Sequence, residues 1–224
     1  MDGVKIFFDF FGLAFSALLP LINPLGSALI FVAMIGYARA APFRELARKI
    51  AVNTTLLLVF VQLAGTGVLA FFGISLAVMK VAGGLVLASM GWRLLNQEEV
   101  KTHPAVEDAT KDASRSLEQM VFYPFTFPVT AGPGCIVVML TLSAHASARQ
   151  ALMSAVAHLG IFAAVVILSL LVFICYRYAP KIQDRISPQN AQGILRVTAF
   201  VLLCIGVQIT WNGTASMLEQ ILKR

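Results

Sequence analysis

Charge is scarce in this sequence. Of its 224 residues only 12% are Asp, Glu, Lys or Arg, about half the share in a typical soluble domain. Hydrophobic residues make up 58%, with a mean hydropathy of +0.83, which points to a membrane protein. Cysteine is also sparse. Cys135, Cys175 and Cys204 each lie in an apolar run, and their odd number and wide separation give neither a disulfide framework nor metal-ligand spacing. No GxxxxGK[ST], HExxH or GxSxG motif and no paired intramembrane carboxylates occur, so neither an ATP motor nor a hydrolase is expected. The chain is read as a non-enzyme without cofactor. The formal net charge is +6, but its basic residues neither form one patch nor alternate with aromatics, so nucleic acid is not an expected partner.

What is present is a series of long apolar runs. A membrane-crossing helix needs roughly 20 such residues, and six segments qualify, at about 6–36, 50–72, 75–95, 120–143, 150–177 and 193–216. The first is too long for a signal-peptide core and lacks a convincing cleavage site, so it is read as retained. Residues 96–119 form the one substantial polar stretch. The predicted organisation is a first three-helix unit at 1–95, a solvated cytoplasmic linker at 96–119 and a second three-helix unit at 120–224.

Basic residues set the orientation. The first, third and fifth connections carry Arg39, Arg44, Arg48 and Lys49, then Arg93, Lys101, Lys111 and Arg115, then Arg177, Lys181 and Arg185. The other connections and the termini hold only Lys5, Lys80, Arg149, Lys223 and Arg224. Since Lys and Arg stay on the cytoplasmic side, both termini are predicted to be periplasmic. Tyr37, Trp92, Tyr123, Tyr176 and Tyr178 then fall near the inner interface and Trp211 near the outer.

Two apolar runs carry helix breakers where lipid tolerates them least: PLINPLG at 20–26 and PVTAGPG at 128–134. Proline removes an amide donor and clashes with the preceding turn, and bilayer hydrocarbon offers no water to the carbonyls it frees. At an offset of 108 residues Pro20 meets Pro128 and Gly26 meets Gly134. At a slightly different offset Met79-Lys80-Val81-Ala82 meets Leu195-Arg196-Val197-Thr198. With three spans per half, the second copy enters from the opposite face, as in transporters built of inverted repeats. The fold class expected is therefore an all-α polytopic membrane protein of six helices in two inverted three-helix repeats, with helices 1 and 4 broken near mid-membrane.

The breaks suggest a binding site. Asn23-Pro24 is a helix-start signal, and Gly132-Pro133 is a weaker one. Two helix N-termini brought together at mid-depth would offer free amides and partial positive charge to a carboxylate. No Asp, Glu, Lys or Arg lies clearly at the centre of any span, which disfavours a strongly charged solute. A neutral or zwitterionic solute such as a small amino acid fits better. The candidate substrate-binding residues are Asn23, Pro24, Gly26, Ser27, Thr126, Thr130, Gly132, Pro133 and Gly134. Alternating access is the expected mechanism, with coupling to H⁺ or Na⁺ left open and the solute and membrane lipids as partners.

The PLINPLG and FPVTAGPG segments, six spans and the KVAGG stretch at 80–84 together resemble the MarC-related integral membrane proteins over nearly the whole chain. The resemblance implies an inverted three-plus-three fold in a bacterial inner membrane, with the broken first and fourth helices lining the site. It also implies transport of small neutral amino acids, as described for some members.

Two other functions are weighed. A non-transporting scaffold or accessory subunit gains nothing from broken helices at mid-bilayer. A thiol-redox carrier would use Cys135, which follows the second break, but needs a partner thiol. His158 is read first as a neutral hydrogen-bonding group between helices and second as a proton relay. Gln62 and Gln208 are expected to join helices, and Gly83-Gly84 with Ala88 to permit close packing.

Overall fold

A computed structural model describes residues 3–35, 43–96, 119–147, 149–185 and 188–222. The described chain is helical, with no strand among the described residues. Its elements are α1 (Gly3–Ile22), α2 (Pro24–Ile35), α3 (Phe43–Phe71), α4 (Leu76–Leu95), the wide-wound α5 (Val121–Thr130), α6 (Pro133–Ser147), α7 (Ala151–Arg177), the short α8 (Ala179–Arg185) and α9 (Pro188–Leu222). Five helical stretches are long and apolar enough to cross a membrane: Gly3–Val32, Phe43–Phe71, Leu76–Leu95, Ala151–Arg177 and Gln192–Glu219. The α5–α6 pair makes up to six, if its two helices form one span bent by 68°. Nearly all of the expected linker lies outside the described residues.

Several helices run past the apolar windows that announced them. α3 begins at Phe43, taking in Arg44, Arg48 and Lys49 before its lipid-compatible stretch, and α9 reaches from Pro188 to Leu222. Hydropathy reports where a helix leaves the bilayer, whereas the backbone ladder continues until a cap stops it. α8, too polar to register as a span, also went unpredicted.

Local chemistry accounts for the ends. α3 stops at Gly73, whose φ of 68° lies in the left-handed region. There the Gly73 amide donates to the Ala70 carbonyl at 3.1 Å and the Ile74 amide to that of Leu69 at 2.9 Å, a paired closure that glycine permits without steric cost. Ser75 then opens α4, its hydroxyl accepting from the Val78 amide at 3.2 Å, as a good N-cap does.

The tightest seam joins α4 and α9. Ala77, Gly84 and Gly91 recur every seven residues on α4, opposite Gly213, Gly206 and Ala199 on the antiparallel α9. A Cβ added at Gly84 would lie 2.6 Å from the Thr210 amide nitrogen and 2.7 Å from the Gly206 carbonyl oxygen, so the two backbones are in direct contact. Gly83 instead faces Val137 of α6. Elsewhere α1 lies along α7, α3 packs on both α7 and α6, and α2 leans on α7. The buried core follows these contacts through Phe10, Leu18, Ile22, Phe31, Ile50, Leu58, Met139, Ile161 and Leu168.

Candidate functional site

At the first interruption the backbone turns on a single residue. Asn23 has φ 42°, a conformation most L-residues avoid and Asn tolerates. Its amide donates to the Leu19 carbonyl at 2.9 Å, closing α1. Its side-chain Oδ1 accepts from the Gly26 amide at 3.3 Å, capping α2. Its own carbonyl accepts from the Ser27 amide at 2.9 Å. One residue thus ends one helix and begins the next. Pro24 is buried at the first position of α2, where a missing amide costs nothing. Gly26 is required for steric reasons, since a Cβ there would strike the Asn23 carboxamide.

The second interruption is longer. Tyr123-Pro-Phe-Thr126 and Phe127-Pro-Val-Thr130 repeat one four-residue pattern. Tyr123 and Phe127, each preceding a proline, have extended dihedrals near φ −120°, the geometry a following proline favours, and both X-Pro peptides are cis. Backbone bonds here span five residues, from the Phe125 amide to the Met120 carbonyl at 3.2 Å and from the Ala131 amide to that of Thr126 at 2.8 Å. The threonine hydroxyls repeat that reach, Thr126 donating to the Val121 carbonyl at 2.8 Å and Thr130 to that of Phe125 at 2.6 Å. Side chains thereby satisfy carbonyls in a segment where prolines withhold donors. After Ala131 the chain restarts at Gly132, whose carbonyl accepts from the Cys135 amide at 3.0 Å, with Pro133 as the first residue of α6.

The two interruptions meet at Tyr176. Its side chain, from the last turns of α7, is fully buried. Its hydroxyl lies 2.7 Å from Thr130 Oγ1, with the buried Ser27 side chain nearby. Ser27 and Thr130 already direct their protons to backbone carbonyls, Ser27 to that of Asn23 at 2.9 Å. With Thr130 donating to the Phe125 carbonyl, the phenolic proton is directed to Thr130 Oγ1. Next to this trio sits an aromatic cluster: the Phe31 ring is 4.6 Å from Tyr176, 4.9 Å from Phe125 and 5.9 Å from Phe43, centroid to centroid. Such contacts contribute about 0.5–1.5 kcal/mol each beyond burial. They tie α2, α3, α5 and α7 together.

Of the residues singled out from sequence, Ser27 and Thr130 are brought to one point. Gly134 is close to the first interruption by another route, packing under Leu87 of α4 and Leu21 of α1. Asn23, Pro24 and Gly26 form the first turn of α2, while Gly132 and Pro133 form that of α6, half-buried. Thr126 is buried and its hydroxyl serves its own segment. Tyr176 was missed, because a tyrosine near the end of a span reads as an interfacial anchor. The available signal was its register: with Ile161, Ala164, Leu168 and Val172 it continues the buried stripe of α7.

A further set of polar contacts gathers at His158. Gln62 Nε2 donates to the His158 carbonyl at 2.8 Å and lies 3.2 Å from His158 Nδ1, while Ser147 Oγ is 3.2 Å from Nε2. His158 thus links α3, α6 and α7. Gln208 bonds Asn212 of its own helix at 2.9 Å instead of a neighbour. Among the described residues no group of three His, Cys, Asp or Glu could hold a metal ion.

Comparison with known proteins agrees with this architecture. Residues 8–218 match the family described as MarC family integral membrane protein. Proteins named UPF0056 inner membrane protein MarC align over 95% of this chain and 97% of their own length. The one from Citrobacter koseri is 30% identical over 220 residues, that from Salmonella typhimurium 29% over 218, and that from Escherichia coli 28% over 218. No solved structure matches. With nearly its whole length matched and its helices suited to several membrane crossings, the chain belongs to the MarC family of integral membrane proteins.

Proposed function

We propose that this protein is a secondary carrier moving a small neutral or zwitterionic solute, an amino acid of small side chain above all, by alternating access between the starts of α2 and α6. The observation that carries the reading is the convergence on Tyr176 of two interrupted helices from opposite halves of the chain. A site of this kind turns the partly positive N-terminal ends of α2 and α6 toward a carboxylate. Ser27, Thr130 and Tyr176 supply hydroxyl oxygens that already exceed their free protons, an arrangement suited to receiving a solute's ammonium group.

The packing pattern supports the inverted repeat that such carriers use. Exchanging the halves turns the contact of α1 with α7 into that of α5 with α3, turns that of α2 with α7 into that of α6 with α3, and leaves the α3–α7 and α4–α9 pairings in place. The aromatic cluster around Phe31 reads as the closed gate on one side. On this reading the protein resides in the bacterial inner membrane with both termini in the periplasm, and a proton or Na⁺ gradient drives it.

One observation favours a structural role as the second reading: the Asn23, Thr126 and Thr130 side chains are all engaged by their own segments. Counterflow of radiolabelled glycine, alanine, serine and threonine into preloaded liposomes containing purified protein decides between them. Exchange of at least one, abolished when bulky substitution at Ser27 fills the proposed site, is the expected result. A well-folded protein that exchanges none of the four favours the scaffold.

A further inference from the structure

The wall of α3 facing the start of α5 opens into a cleft of about 530 Å³ whose lining includes Arg48, Lys49, Val52, Asn53, Gln119 and Phe122. Its polar part joins two cations to two carboxamides. Lys49 is tied to Glu45 by a 3.2 Å ion pair on the same helix. Arg48 is exposed and has no ion pair among the described residues, so its guanidinium is positioned to meet an external anion. The fork of an arginine matches two phosphate oxygens, and the Asn53 and Gln119 amides can donate to the ester oxygens.

The cleft does not end in water on every side. Val52, on its wall, begins a line of exposed apolar side chains that continues along α3 through Leu56, Phe60 and Leu63. At 1.5 Å per residue that line is about 16 Å long, close to the ~15 Å half-thickness of a bilayer's hydrocarbon. Phe122 is exposed on the facing wall. Cationic head, amide donors and an apolar track of one acyl length follow in the order a phospholipid presents them. Basic clefts between transmembrane helices commonly hold anionic lipid headgroups.

From this arrangement we infer that the α3–α5 cleft is a binding site for an anionic glycerophospholipid, its phosphate on Arg48 and one acyl chain along Val52, Leu56, Phe60 and Leu63. The site is separate from the Tyr176 convergence and does not depend on transport.

Native mass spectrometry of the full chain in detergent tests it, by titrating dioleoylphosphatidylglycerol and counting protein that retains one lipid. Saturable one-to-one retention is expected, several-fold tighter than with dioleoylphosphatidylcholine and not displaced by millimolar glycerol 3-phosphate. Arg48→Gln is expected to weaken it roughly fivefold, matching the worth of one basic residue beside an anionic lipid. Val52→Asn is expected to weaken it as well, whereas Arg93→Gln, exposed on α4 away from the cleft, leaves it unchanged. Equal retention of both lipids, or no effect of Arg48→Gln, overturns the proposal. Displacement by glycerol 3-phosphate with indifference to Val52→Asn overturns it in favour of a soluble phosphate ester. The two-lipid and displacement comparisons use unaltered protein, so the outcome does not hinge on a variant folding.

Discussion

Single residues define the interruptions, and two substitution series distinguish their roles. Asn23 combines left-handed backbone with a side-chain cap. Asn23→Gly keeps the backbone easy and loses only the cap, which matters little when glycine replaces it. Asn23→Ala loses the cap at about 0.5–2 kcal/mol and also forces a Cβ into the left-handed region at roughly 1–2 kcal/mol. Thermal unfolding in detergent should therefore rank the native protein above the glycine variant and the glycine variant well above alanine. Tyr176→Phe removes the bond to Thr130 and leaves the aromatic packing, a loss of about 0.5–1.5 kcal/mol. Scanning fluorimetry should register a modest drop, and counterflow should change by a larger factor because the hydroxyl links both interruptions. Asn23-Pro24 could be read from the sequence, since asparagine followed by proline states both cap and helix start. Tyr176 could not, because its partners are 46 and 149 residues away and only the folded chain brings them to it.

Among the elements, the α4–α9 seam offers the sharpest expectation. A side chain at Gly206 would meet the Ala88 amide and lie 2.8 Å from the Gly84 carbonyl oxygen, with no flexible neighbour able to yield. Gly206→Val should cost about 1–3 kcal/mol as overpacking does, measured as a lower unfolding temperature. Gly193→Val, where a Cβ meets nothing within 4 Å, should lose far less. The glycine spacing on both helices was visible in the sequence, and Gly83-Gly84 was read correctly as a packing device. Which glycine faces which helix was not visible, because neighbours on a helix point about 100° apart and the partner's azimuth is set by tertiary contact. The same limit applies to α5. Its doubled proline-threonine pattern lay open in the sequence at four-residue spacing, yet the five-residue hydrogen bonds it makes belong to no common template.

At the scale of the whole molecule, hydropathy and charge made the class legible: a helical chain crossing the membrane several times. Lys and Arg counting gives the remaining expectation, that both ends face the periplasm. Alkaline phosphatase fused after Arg224 should be active and a fluorescent protein at the same place dark; the reverse pair of results would invert the topology. The α4–α9 seam has a mechanical consequence. It ties residues 77–91 to residues 199–213 backbone against backbone, so a swing of the two proposed three-helix units against each other as blocks would have to tear it open. On the proposed alternating-access reading, a movement that exposes the Tyr176 junction to one side and then the other would leave this pair as the stationary keel. On that reading the displacement would fall to the bent α5–α6 pair, with its 68° angle, and to the chain around Asn23.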